Sequence, residues 1–262
     1  MIGKINFHIP ELDSMKKYPN TIEYIGDTSL LNKQKISIVG SRKPNQYARE
    51  ITHQLSLKLS QANICIVSGG AIGIDAIAHK AASPKNTIMV AGTGLDKRYP
   101  AINKNLIADI EKEGLILSQF KQGTPSQKYN FPLRNELLVA LGDILIVMYA
   151  DENSGTMRSI EYAKKMGKDI YVIPHRLNES TATNKLLSNG DAKLITDLDI
   201  FVKNISNTND IPTNNTKKDP FIEFCKTNPN YEDALKKFPS RVFEAELSGE
   251  IYIKNAKVYL LN

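Results

Sequence analysis

The stretch "ICIVSGGAIGIDAIAHKAA", residues 64–82, decides the fold. Its first five residues, 64–68, are apolar without alternation, as in a strand buried on both faces. A glycine-rich turn follows, then a helical pattern over 75–82. A single strand–turn–helix unit would say little, but this one recurs. "ISIVG" (36–40), "TIMVA" (87–91), "LILSQ" (115–119), "ILIVMYA" (144–150), "DIYVIP" (169–174) and "KLIT" (193–196) read as further strands. Helix-length segments at 46–61, 102–113, 132–141 and 157–166 lie between them. This alternation predicts an α/β fold with a doubly wound, mostly parallel Rossmann-like sheet over residues 36–202.

The flanks read differently. Residues 1–35, with "YPN" and "GDTSLL", look like an irregular lead-in packed on the sheet. The Asn- and Thr-rich "KNISNTNDIPTNNTKK" (203–218) has no apolar period and predicts a linker. Beyond it, residues 219–262 give two or three short helices and a hairpin of "EIYI" and "KVYL". That order predicts a small winged-helix-like domain.

Composition narrows the class. The chain has 262 residues, 41% hydrophobic and 24% charged, which suits one large soluble domain with a small appendage. No apolar run approaches the roughly 18 residues of a membrane span, and the N-terminus lacks the apolar core of a signal peptide. The two cysteines are far apart; Cys65, inside "ICIV", reads as a small core residue, so no disulfide framework is expected. A cytoplasmic protein with no membrane partner is expected. The net charge of +6 is uneven: residues 219–262 carry six Lys/Arg against seven Asp/Glu, leaving about +7 on the remainder. The larger domain therefore suits an anionic partner.

In an open parallel sheet, ligands bind beyond the carboxyl ends of the strands. Those ends read "GSRKPNQY", "SGGAIGID", "AGTGLDKRYP", "ADENSGTMRS" and "PHR". Most are built from Gly, Ser or Thr, which let a ligand approach the backbone, and the helices that follow present amides suited to phosphate. Specific phosphate devices are missing: there is no Walker loop, and "GGAIG" (69–73) has the wrong glycine spacing for a dinucleotide fingerprint. Asp75 and His79, four apart on one helix near Ser68, invite a Ser-His-Asp reading. Asp75 stands where an N-cap belongs, however, and His79 reads as a packed residue. His8, His53, His79 and His175 have no metal spacing, so neither metal nor cofactor is expected.

What remains is basic and aromatic. Arg42 directly follows the first predicted strand, and "KRYP" adds Lys97, Arg98 and Tyr99. "KYNFPLRN" (128–135) adds Lys128, Tyr129, Phe131 and Arg134. Pro132 suits the first turn of a helix. Phe131 then either faces outward or is the hydrophobic staple of that helix, while Leu133 and Leu137 should face the core. Cations beside an exposed ring are the elements of single-strand recognition.

The chain resembles the DprA/Smf family of DNA-processing proteins from bacterial natural transformation. The resemblance rests on "IVGSR" (38–42), "VSGGAIGIDAIAH" (67–79), "GTGLDKRYP" (92–100), "FPLRN" (131–135), "SGTMRSIEYA" (154–163) and "GKDIYVIP" (167–174), in the family's order. It looks like a short form without the family's N-terminal helical domain. The resemblance implies a protein without enzymatic activity that binds single-stranded DNA in a basic groove and protects incoming DNA. It further implies loading of RecA recombinase, including on strands coated by single-strand-binding protein, and a homodimer through the Rossmann-like domain. It assigns Arg42 and Lys128 to phosphate and Phe131 to a base. Gly40, Ser41, Ser68, Gly69 and Gly70 would supply turn amides, and Arg134 and Asn135 would shape the site. Glu136 stands where family members commonly have arginine, which would weaken the local positive field, and His175 stands where glycine is common. The alternative is a nucleotide phosphoribohydrolase-like enzyme on a similar fold, whose "SGG" and "SGT" turns would hold a phosphate.

Overall fold

The structure, a computed structural model, describes residues 1–206, 220–247, 251–254 and 256–260. The chain divides into two units, Met1–Asn207 and Thr208–Asn262.

In the first unit, seven parallel strands are laid down in turn: β3 (Lys35–Val39), β4 (Cys65–Ser68), β5 (Thr87–Val90), β6 (Leu115–Ser118), β7 (Ile144–Val147), β8 (Ile170–Val172) and β9 (Lys193–Leu194). Their order in the sheet is β6-β5-β4-β3-β7-β8-β9. The chain thus builds outward from β3 in one direction, then crosses to the other side of β3 to start β7. Ile36 to Val39 pair in parallel with Ile144 to Val147 across that reversal. Alternate side chains of each strand point to opposite faces. Ile88, Val90, Leu115 and Leu117 enter one core with Leu137 and Leu141, while Met89 and Ile116 enter the other with Leu106 and Ile110. Both faces are covered, which is why these strands read as unbroken apolar runs. The expected α/β class and doubly wound sheet are what the structure has.

Helices form the two outer layers. α1 (Gln46–Gln61) begins where the Asn45 side chain accepts from the Ala48 amide at 2.8 Å, an N-cap. Its stripe of Ala48, Thr52, Leu55, Ser56 and Leu59 is buried, and the helix packs on α2 (Ile74–Ala82). α3 (Lys104–Glu113) continues that layer. On the other face α4 (Asn130–Leu141) packs on α5 (Thr156–Lys165). Two further helices, α6 (Thr181–Ser188) and α7 (Leu198–Ile205), follow β8 and β9. Neither was expected from periodicity. Asp197 caps the start of α7 on the Ile200 amide at 2.8 Å, and residues 203–205 of that helix take the first positions of the expected linker; positions 207–218 lie outside the described residues.

The lead-in is not wholly irregular. β1 (Gly3–Lys4) pairs antiparallel with β2 (Glu23–Gly26), and β2 pairs antiparallel with β6, so the sheet is mixed and nine-stranded. Ile9, Leu12, Met15, Ile22, Leu30 and Leu31 are buried in the main core. At about 1.5–3 kcal/mol for each large apolar side chain fully buried, these contacts hold a segment with little regular structure of its own. Strands of two and four residues are too short to show a period.

The second unit contains α8 (Pro220–Cys225), α9 (Tyr231–Lys237), α10 (Pro239–Leu247) and the antiparallel hairpin of β10 (Ile251–Lys254) with β11 (Lys257–Leu260). Phe221, Cys225, Ala234, Val242, Ala245, Ile251 and Val258 form its own core.

α4 differs from expectation in a way that matters for the site. It starts at Asn130, two residues early, so Phe131 lies inside its first turn. Leu137 is 0% exposed, but Leu133 is 45% exposed, because it sits on the outward side of that turn. Leu137→Ala should therefore cost about 2–5 kcal/mol of stability, and Leu133→Ala no more than about 0.5 kcal/mol. Urea unfolding of both variants checks the assignment; equal losses would contradict it.

Candidate functional site

The reversal of strand order between β3 and β7 opens a crevice beyond their carboxyl ends. A cleft of about 850 Å³ lies there. Its walls are Gly40 to Lys43 after β3, Asp75 of α2, the start of α4, and the loop from Asp151 into α5. A smaller recess of about 90 Å³ adjoins it between Gly69, Ile72, Tyr99 and Phe131.

Phe131 is the centre of the cleft's aromatic wall. Its ring lies so close to Gly92 that a Cβ there would come within 2.9 Å of Cδ1, so only glycine fits beneath it. The Tyr99 ring flanks it with centroids 5.8 Å apart and a 33° tilt. The exposed Arg42 guanidinium stands over its face, 5.7 Å from the centroid. The start of α4 is pinned by Asn130, which is buried and donates through Nδ2 to Gly92 O and Pro125 O, both at 3.1 Å. No staple is involved. Lys128, exposed, precedes this turn on the cleft wall.

Other expected site residues are turned inward. Arg134 is 5% exposed; its Nη1 donates to Gly69 O and, at 2.6 Å, to Val90 O. Burial depresses its pKa, partly offset by Asp75. Burial likewise raises the Asp75 carboxyl, opposed by Arg134. Asp75 is inside α2 rather than at its cap, and accepts from the Ala71 amide at 3.4 Å. Arg134 thus clamps the glycine turn instead of offering a free cation. Ser68 is fully buried with Oγ donating to Ile38 O at 2.7 Å, and Gly70, at φ +70°, sits against Met89. Neither lines the cleft or the recess. The Ser41 amide is also engaged, by Tyr149 O at 2.8 Å. Of the ten residues expected here, Gly40, Ser41, Arg42, Lys128, Phe131, Arg134 and Asn135 line the cleft, and Gly69 joins the recess.

Several readings from sequence change. Arg98 forms a two-nitrogen pair with Glu111, with Nη2 to Oε2 at 2.6 Å, which leaves Tyr99 as that loop's contribution to the cleft. Glu136 Oε1 accepts from the Lys16 amide at 2.8 Å, so its carboxylate ties down the N-terminal segment. No triad exists: His79 Nδ1 meets Thr87 Oγ1 at 2.6 Å, and Ser68 points away. Asp151, Ser154, Gly155, Thr156, Arg158 and Ser159 line the cleft without having been singled out. The "SGT" turn was the available signal for them. Among the described residues no group of three His, Cys, Asp or Glu is placed to hold a metal ion.

With this geometry the chain can be compared with known proteins. The family model described as DNA recombination-mediator protein A matches residues 6–206. Protein Smf of Synechocystis sp. is 37% identical over 159 residues, 59% of this chain and 40% of that protein. DNA processing protein DprA of Bacillus subtilis is 32% identical over 203 residues, 72% of this chain and 68% of its own length. Among solved structures, DNA processing protein A from Helicobacter pylori, described for its single-stranded DNA binding mode, superposes with a TM-score of 0.77 at 37% identity. That match covers 78% of this chain and 95% of the other. The chain therefore spans less than half of the Synechocystis relative and about two thirds of the Bacillus one.

The clamp and the buried imidazole can be tested without any ligand. Arg134→Met leaves two carbonyls and the Asp75 carboxyl uncompensated and should cost about 3–5 kcal/mol in urea unfolding. Arg42→Ala should leave stability within about 0.5 kcal/mol of the parent. Burial holds the His79 pKa down to about 3, against 6.5 in an open chain. Between those values the unfolded chain binds a proton that the folded chain does not, so this residue makes stability fall as pH drops from 6.5 toward 3. Asp75, with its pKa raised by burial, acts in the opposite direction. In His79→Gln the urea midpoint should decline less steeply with acidification than in the parent; an unchanged pH dependence would refute the assignment.

Proposed function

We propose that this chain, which belongs to the DNA recombination-mediator protein A family, is a non-catalytic binder of single-stranded DNA. The observation that carries this reading is the Phe131 ring in the cleft wall, flanked by Tyr99, faced by Arg42 and preceded by Lys128. A base stacked on an aromatic face contributes about 1–3 kcal/mol whatever its identity. Cations beside the ring neutralise the flanking phosphates, and the open crevice admits an extended strand. Phe131 takes the base in this scheme; Arg42 and Lys128 take phosphates, and Asn135 shapes the wall. The relative from Helicobacter pylori, similar over nearly its whole length and described for single-stranded DNA binding, supports the same ligand class.

The buried carboxylate that an enzymatic reading would use, Asp75, is engaged by the Ala71 amide and neighboured by Arg134, which favours binding over catalysis. As a recombination mediator, the protein would protect incoming strands in the cytoplasm during natural transformation and promote loading of RecA, including on strands held by single-strand-binding protein. It would do so as a homodimer through its Rossmann-like unit. The second unit, a winged-helix-like module in this proposal, would make protein contacts, since residues 219–262 carry a slight acidic excess.

A mobility-shift comparison of single strand, duplex and mononucleotide tests the central claim. Single strand should bind best, with log affinity falling against log salt at about −0.7 per phosphate contacted. Phe131→Ala should weaken binding by about 5- to 150-fold, and Arg42→Ala and Lys128→Ala should each weaken it and flatten the salt slope. Parent-like binding by all three variants would remove the cleft from consideration.

A further inference from the structure

One wall of the cleft is built by the turn into α5, which carries the "SGT" sequence. α5 is ten residues long; Thr156 and Ser159 lie in its first turn, and Ser154 directly precedes its cap, Gly155. Thr156 is 7% exposed and Ser159 is 1% exposed, yet both line the cleft. Ser154 Oγ is buried and unpartnered. Leaving a buried hydroxyl unpaired is unfavourable, so Ser154 Oγ requires an account. The backbone adds to the pattern. The amides of Met157 and Arg158 are taken by Ser154 O and Gly155 O at 3.1 and 3.3 Å, whereas those of Gly155 and Thr156 stand ahead of the first of these bonds. A Cβ on Gly155 would meet nothing within 4 Å, so the space over the turn is open. Hydroxyl and amide donors converging at the positive end of a helix suit an oxyanion with several acceptor oxygens. Arg42 and Lys43 lie in the same cleft and outweigh the exposed Asp151 at its rim.

We propose that the first turn of α5 is a second phosphate subsite, which holds a nucleotide phosphate of the strand whose base lies on Phe131. This rests on the single-strand reading above and extends it. Arg42 and Lys128 supply charge, and the turn into α5 supplies neutral donors. The phosphate is either an internal diester or a 5′-terminal monoester; the donors are the same for both.

The test is an amide-resolved NMR titration of the full chain with a short oligothymidylate, with a 5′-phosphate in one arm and a 5′-hydroxyl in the other. The Gly155 and Thr156 amides should shift in at least one arm. A response in both arms identifies a diester, and a response in the phosphorylated arm alone identifies the terminal group. In a parallel binding assay, Thr156→Val should weaken affinity by about 3- to 10-fold, and Thr156→Ser, which keeps the hydroxyl, should restore most of it. Shifts around Phe131 with none at Gly155 and Thr156 would overturn the subsite and leave the single-strand reading standing. Absence of binding by the parent chain would overturn both.

Discussion

The buried Arg134 guanidinium is the constraint on which the site depends. It joins three elements that have no covalent reason to meet: the turn after β4 through Gly69 O, the end of β5 through Val90 O, and α4 through its own backbone. Asp75, brought in on α2, offsets part of the charge. Removing a charge from water is costly, and the arrangement persists because acceptors and a counter-charge meet it. Arg134 lies three positions after Phe131 on α4, so fixing one places the other nearly a full turn away. The platform for a base is therefore positioned from behind, by a cation that is almost hidden from solvent.

This division of labour explains what could and could not be read from the sequence. Strands buried on both faces announce themselves as apolar runs, so β3 to β8 were legible, as was the class of fold. β2 was not, because four residues, "EYIG", cannot display a period, and its pairing with β6 is a tertiary event. α6 and α7 are short, eight residues each, too few to display a clear period.

The site divides along a similar line. Arg42 and Phe131 were legible because each sits at the end of an element whose position the fold dictates. Charged residues were harder, since their roles depend on partners distant in sequence. Arg98 finds Glu111, Glu136 finds the Lys16 amide, and Arg134 finds two carbonyls. Each looked like part of one local field, yet only the fold reveals which charges are already satisfied. Asn130, a lone polar residue at the start of α4, gave no signal at all, although it ties that helix to the loop after β5.

The nine-stranded sheet ends on both sides in strands of only two residues, β1 and β9. An exposed edge is a row of unpaired amides and carbonyls that can template another chain, and its reach scales with its length. Edges this short present too few groups to recruit a neighbouring strand in register. The larger unit is thereby protected against edge-to-edge aggregation.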